Sequence, residues 1–361
     1  MLETRRHHPL SRIIAAIVIA LASTTVFLGG SAIAAAQPAP SGVIDVPVSF
    51  TVHNVNDTAV PCAADGGTYT IRGHLTAPAG GVGNAITLYE HGIAAGEWYW
   101  RLPVQGYHHT YEMAARGQTS LTIDRLGYDS SDAPPGGAMC VGSQATMAHQ
   151  IVQALRTGNY QWDASGTAPT FEHITLAGQS NGGQIVQIEA YTFDDVDALV
   201  VMDWADRGLT PEAYVRFFAA TPRCLTGGSA SENNPAVNGY TFYDQGTEEF
   251  VTGNYADTEQ EVIDEAAPYQ NQHPCGDMLS QGPGILLDLV KMSSIDIPVL
   301  GLYGQNDARV QFGNEHIESF TGTSDKKAVT IPDAGHYMGH ARNAALVFDS
   351  LDQWLDARQP R

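Results

Sequence analysis

Two segments near the start of the chain, 46–54 and 69–78, alternate apolar and polar residues with the period of two expected of a strand with one solvated face. Asp65-Gly66-Gly67 lies between them and predicts the turn of an antiparallel pair. Short runs that are apolar at nearly every position follow at 85–89, 120–124, 173–177, 198–202, 297–303 and 327–331. Stretches of helical period separate most of these runs, at 107–116, 143–156, 184–191 and 340–358. Apolar strands alternating with helices predict an α/β fold: a mostly parallel central sheet covered by helices on both faces.

The rhythm stops over about 205–294. This segment contains Pro211, Pro222, Pro235, Pro268, Pro274 and Pro283, many Asn and Gly residues, and two cysteines. A lid or cap inserted over the sheet fits it better than a separate domain, so 37–361 is expected to form one catalytic domain carrying this insertion. The first 36 residues read differently. Arg5, Arg6 and Arg12 precede an apolar stretch over 13–28, and small residues follow up to Ala34-Ala35-Ala36. That order is the one of a secretory signal peptide, with cleavage expected after Ala36. An uncleaved anchor is the rival reading, and Gly29, Gly30 and the alanines interrupt the apolar run it would need. The expected location is therefore secreted, extracellular or associated with the cell wall, without stable membrane insertion after cleavage.

Composition narrows the partners. Of 361 residues, 43% are hydrophobic and 16% charged, which supplies a sizeable core and rules out a disordered chain. With Lys+Arg 18 against Asp+Glu 39 the net charge is -21, and a phosphate surface repels such a protein in the absence of a basic patch. Nucleic acid is not an expected partner. Cys62, Cys140, Cys224 and Cys275 all lie in the exported part, and an even count there favours two disulfides. Three pairings are open; Cys224 with Cys275 is favoured because both lie in the irregular segment, leaving Cys62 with Cys140. A metal site is not expected, since the cysteines are scattered singly without C-x-x-C spacing.

The strongest chemical signal is Gly178-Gln179-Ser180-Asn181-Gly182, a G-x-S-x-G pattern between the strand expected at 173–177 and a helix expected to begin near Gly183. A serine exposed on a strained strand-to-helix turn needs glycines beside it to relieve crowding. The positive end of the following helix favours negative charge developing on a bound carbonyl oxygen. A hydroxyl is a weak nucleophile until a base takes its proton, and the base needs an orienting carboxylate. Asp307 in Gly304-Gln305-Asn306-Asp307 and His336 in Gly335-His336 both follow expected strands, where open α/β sheets build their sites. Asp203, just after the strand at 198–202, is the rival position for the acid. His340, four residues beyond His336, lacks the carboxylate-rich helix that would make the pair a metal site.

With these residues in place the chain resembles the α/β-hydrolase superfamily over nearly all of 37–361. The matching features are His91-Gly92, Asp124-Arg125-Leu126-Gly127, the turn at Ser180, Gly304…Asp307 and Gly335-His336. The spacing His91-Gly92…Trp98 looks like secreted actinobacterial and fungal serine hydrolases. The resemblance implies Ser180 as nucleophile, His336 as base, Asp307 as its acid, and an oxyanion hole from the backbone N–H groups of Ile93 and Asn181. It implies no cofactor, and His91 as a brace for the oxyanion loop. Asp129-Ser130-Ser131 departs from the pattern, where many members carry a glycine before the serine.

The implied activity is cleavage of small-molecule or lipid-like carboxylic esters through an acyl-serine. A peptidase or amidase, or an acyltransferase, would use the same triad; a catalytically silent binding protein is the reading from another class. Trp204, Tyr214, Phe217, Phe218, Tyr240, Phe242, Tyr243 and Tyr269, together with Trp98, Tyr99 and Trp100, are candidates to line an apolar pocket or simply to pack the insertion. The acidic run 257–265 reads as a solvated helix face.

Overall fold

A computed structural model describes residues 39–358. The expected signal peptide, 1–36, lies outside the described residues.

The main sheet takes its strands from the whole length of the chain. β1 (Val43–His53) and β2 (Thr68–Pro78) are antiparallel, followed by β3 (Ala85–Glu90), α1 (His109–Ala115), β4 (Ser120–Asp124) and α2 (Val141–Thr157). The short β5 (Gln161–Trp162) precedes β6 (His173–Gln179), α3 (Asn181–Phe193) and β7 (Ala198–Met202). The next segment contains α4 (Pro211–Leu225), β8 (Ser229–Ala230), β9 (Asn238–Thr241), α5 (Thr247–Asn254), α6 (Gln260–Ala266), β10 (His273–Pro274) and α7 (Cys275–Lys291). The chain closes with β11 (Val299–Gly304), α8 (Gly313–Glu318), β12 (Lys326–Ile331) and α9 (Ala345–Asp356).

Among the described residues the strand order is β12-β11-β7-β6-β3-β4-β2-β1-β5. The run from β12 to β4 is parallel, and β2, β1 and β5 extend it antiparallel. Two cores explain why the central strands are apolar at every position. In β7, Leu199 and Val201 face the core shared with α2, α3 and α8, while Ala198, Val200 and Met202 face the one shared with α1 and α9. A strand buried on both sides keeps no polar face.

The segment between β7 and β11 is more ordered than its prolines suggest. Pro222 lies inside α4 and Pro283 inside α7. Proline removes a backbone donor and disfavours a helix interior, yet here tertiary packing holds both helices: Ala220 and Cys224 of α4 pack on Cys275 and Met278 of α7. A disulfide joins Cys224 to Cys275 between these two helices, and another joins Cys62 to Cys140 at the start of α2. The helix expected over 340–358 is confined to α9; His340 ahead of it is buried, its ring Nε2 on the Tyr99 carbonyl at 3.0 Å. No helix among the described residues is long and apolar enough to cross a membrane.

Candidate active site

The turn at Ser180 has a strained backbone. Ser180 has φ 55 and ψ -125, a left-handed conformation that a side chain tolerates only when its surroundings impose it. Its N–H donates to the Met202 carbonyl at 2.8 Å, which ties the turn to β7. The two motif glycines are required by close approach. A Cβ on Gly178 would stand 2.2 Å from the Gly182 carbonyl oxygen, and one on Gly182 2.3 Å from the Glu90 carbonyl oxygen. α3 begins at Asn181, two residues before the start expected near Gly183, so its unsatisfied N–H groups gather directly behind Ser180.

His336 and Asp307 meet from neighbouring loops. β11 and β12 are paired in parallel, so the turns beyond their carboxyl ends lie side by side. His336 Nδ1 is 2.8 Å from Asp307 Oδ2, and both side chains are almost fully buried. Asp307 Oδ1 accepts the backbone N–H groups of Arg309 (2.7 Å) and Val310 (3.1 Å), so the carboxylate is held from both ends. The His336 carbonyl accepts from Gln179 Nε2 at 3.0 Å, linking this loop to the serine turn. Ser180, His336 and Ile93 open on one cavity of about 130 Å³.

Asp203 does not take the acid's place on His336. It is fully buried, its Oδ1 accepting the Gly304 N–H at 2.8 Å, and its carboxyl is pushed well up by burial and by the neighbouring Asp307. The donor atoms of Asp203, Asp307 and His336 lie within 4.8 Å of one another, as do those of His149 on α2, Glu189 on α3 and Asp195 just after α3. In the first group the hydrogen bonds of Asp307 and His336 are directed at each other and at the backbone, which reads as an internal network.

The loop after β3 is braced by buried polar contacts. His91 Nε2 accepts the Arg125 N–H at 3.1 Å, which leaves Nδ1 to donate to the Gly92 carbonyl at 2.8 Å. Burial and the Arg125 charge hold this ring neutral, with its pKa well below the ordinary histidine range. The Arg125 guanidinium reaches Asn181 Oδ1 (3.2 Å), Tyr128 (3.1 Å) and Asp277 Oδ2 (3.0 Å). Asp277, on α7, escapes the sequence reading: it is 152 residues from its partner and no motif surrounds it. At the departure noted in the sequence, Ser130 donates through N–H and Oγ to Asp124 Oδ2, and Asp129 accepts from Asn271 at 2.6 Å.

The aromatic candidates divide. Trp204, Tyr214, Phe217, Phe218 and Tyr243 line the cavity. Trp98, Tyr99 and Trp100 do not; they pack in the core against Tyr89, His109 and Tyr337, where their ring area is buried. Tyr240 is likewise a core residue, its hydroxyl donating to the Pro134 carbonyl at 2.7 Å, and Tyr269 stacks on Trp98. Asp244 and Arg309 also reach the cavity wall, joined by two contacts of 2.8 Å.

No protein-family model matches the chain, and no curated protein matches it. Among solved structures it is similar to a thermophilic esterase from Thermogutta terrifontis, at 19% identity and a TM-score of 0.60, over 86% of this chain and 100% of that one. It is similar to a monoacylglycerol lipase of Paleococcus ferrophilus at 15% identity and a TM-score of 0.56, over 76% of this chain and 95% of that one. A third likeness, to an E-2-(acetamidomethylene)succinate hydrolase, has 17% identity and a TM-score of 0.52, over 80% of this chain and 95% of that one. Structural likeness at such low identity shows the fold alone, and the sheet order, the serine turn and the strand-end loops agree with it: the chain has the α/β-hydrolase fold.

Proposed function

We propose that this chain is an exported serine hydrolase that cleaves carboxylic esters, with 37–361 as its catalytic domain and 205–294 as the cap over the cavity. The observation that carries the reading is the His336–Asp307 pair at 2.8 Å, whose His336 lines the same cavity as the strained Ser180. Esterases and lipases among the similar folds support it, and two disulfides suit an oxidising compartment.

In this mechanism Ser180 Oγ attacks the ester carbonyl carbon as His336 Nε2 takes its proton. Asp307 holds the ring through Nδ1 and stabilises the imidazolium. The backbone N–H groups of Ile93 and Asn181 receive the oxyanion, each contributing about 3 kcal/mol to lowering the barrier. The alcohol leaves with the proton from His336. Water then adds to the acyl-Ser180, giving its proton to His336, and the acid departs as Ser180 recovers its hydrogen. An aminopeptidase would need a free acid to anchor an amino terminus. Asp244, the acid at the cavity wall besides the triad, is already neutralised by Arg309, and the walls are otherwise mainly apolar, which favours an ester.

A fluorophosphonate reagent tests the nucleophile: labelling of the wild type and none of Ser180→Ala is expected. Turnover of p-nitrophenyl esters but not of aminoacyl-anilides separates ester from amide cleavage, and the reverse preference overturns the reading.

A further inference from the structure

A second carboxyl group stands beside the one that faces His336. β7 and β11 are parallel neighbours in the sheet, so Asp203, following the first, and Asp307, following the second, converge at the same end. Asp203 is held there at both backbone and side chain: its N–H donates to the Leu302 carbonyl at 2.9 Å and its Oδ1 accepts the Gly304 N–H at 2.8 Å. The residue has φ 46, a left-handed conformation with a strain cost for any residue other than glycine. Position and strain together mark a side chain held in place by its surroundings.

Its other oxygen poses a chemical problem. Asp203 Oδ2 is buried, and no protein N–H or hydroxyl donates to it. An ionised oxygen without a donor is costly in the interior. The groups that face Asp203 do not relieve that cost. They are Asp307 and His336 from the loops after β11 and β12, Tyr303 from β11, and Tyr99 from the helical turn at 97–100. Asp307 is itself anionic in the proposed triad, and two adjacent carboxylates cannot both stay charged in such a site. His336 has its Nδ1 committed to Asp307. One proton removes the conflict: it turns the orphaned acceptor into a donor and supplies Asp307 with a further hydrogen bond.

We infer that Asp203 is a neutral positioning residue, its Oδ2–H donating to Asp307 and holding that carboxylate on His336. The inference rests on the triad reading above. Its consequence is that a single negative charge faces the imidazole. Loss of the Asp203 proton removes the hydrogen bond and places a second anion beside His336, so the proposed activity declines at the alkaline pH where Asp203 ionises.

Asparagine reproduces both bonds of a protonated aspartate and cannot ionise, because its amide NH₂ can donate to Asp307 while its carbonyl accepts from Gly304. Asp203→Ala is expected to lower kcat/KM about tenfold or more with KM little changed, and Asp203→Asn to restore most of the loss and flatten the alkaline decline. Two spectroscopic readouts need no turnover. The wild-type-minus-Asp203→Asn infrared difference at neutral pH should contain the band of a protonated carboxyl group. The downfield proton resonance of the His336–Asp307 bond should persist in Asp203→Asn and shift or vanish in Asp203→Ala. Absence of the carboxyl band, or an Asp203→Asn variant as impaired as Asp307→Asn, overturns the assignment. Failure of the ester reading is distinct: no fluorophosphonate labelling and no ester turnover, with the two spectroscopic signatures intact.

Discussion

His336 Nδ1 and Asp307 Oδ2 lie 2.8 Å apart, although 29 residues separate them, because β11 and β12 run parallel and deliver both loops to one end of the sheet. The contact fixes which ring nitrogen faces the carboxylate, and in the proposed triad it leaves Nε2 for Ser180.

Asp307→Asn keeps the shape of this contact and removes its charge. The amide can present its NH₂ to His336 and stabilise the wrong tautomer, so kcat for an ester substrate is expected to fall about 10³- to 10⁴-fold. Steady-state kinetics check this, and a loss below tenfold would move the acid elsewhere.

Phe217 and Phe218 on α4 differ in what they offer. Phe218 is 66% exposed, whereas Phe217 is half-buried against Cys224 and Cys275 at the cavity wall. Phe217→Ala is expected to lengthen the cavity and shift selectivity towards longer acyl chains, each accommodated methylene contributing about 1 kcal/mol or more. Comparing kcat/KM over a series of p-nitrophenyl esters reads it; an unchanged chain-length profile would place the acyl group away from α4.

Arg125 and Asp277 form an ion pair with almost no exposure on either side. Burial pushes the Asp277 carboxyl up even against the pull of Arg125, which shows how large the desolvation of this pair is. Removing one partner leaves the other charged and buried, so Asp277→Ala should cost about 3–5 kcal/mol in urea unfolding. Because Arg125 also donates to Asn181 Oδ1 through its guanidinium and to His91 Nε2 through its backbone N–H, residual folded protein should show a lower kcat than the wild type.

Stability is expected to fall as the pH is raised from about 6.5 to 9. Burial raises Glu90 to about 7 and Asp124 to about 8, the latter also pushed by Asp129 and Glu97. Such groups bind protons more tightly in the folded chain, so the stability they contribute is lost as pH climbs from the ordinary carboxylate range through those values. Burial acts on histidine with the opposite sign: His108, His109, His273 and His316 are lowered to about 3 and His340 to about 4. Their contribution grows with pH up to about 6.5 and is flat beyond it. Below 6.5 the two sets oppose each other, and above it the carboxyl groups act without that opposition. Thermal unfolding at pH 6.5 and 9 measures the balance, and a Tm higher at pH 9 would contradict it.

Local pattern alone located the parallel strands, the glycine-flanked serine, and the loops carrying Asp307 and His336, because each is specified by neighbours in sequence: apolar runs by burial on two faces, glycines by a crowded turn. The helices α4 and α7 were hidden behind Pro222 and Pro283, whose local penalty is outweighed by packing between the two helices. The division of the aromatics had no local signal either. Trp98 and Phe217 look alike in a sequence, and only the path of the chain sends one into the core and the other to the cavity.

Strand, turn and helix periodicity, each read over a few neighbouring residues, already specify the architecture and the order of the candidate chemistry. The meeting of Asp307 with His336, the second buried carboxyl group of Asp203 beside it and the pairing of Asp277 with Arg125 arise from the assembled fold. Those contacts join segments 29 to 152 residues apart, and the burial that sets their protonation exists only once the sheet has assembled.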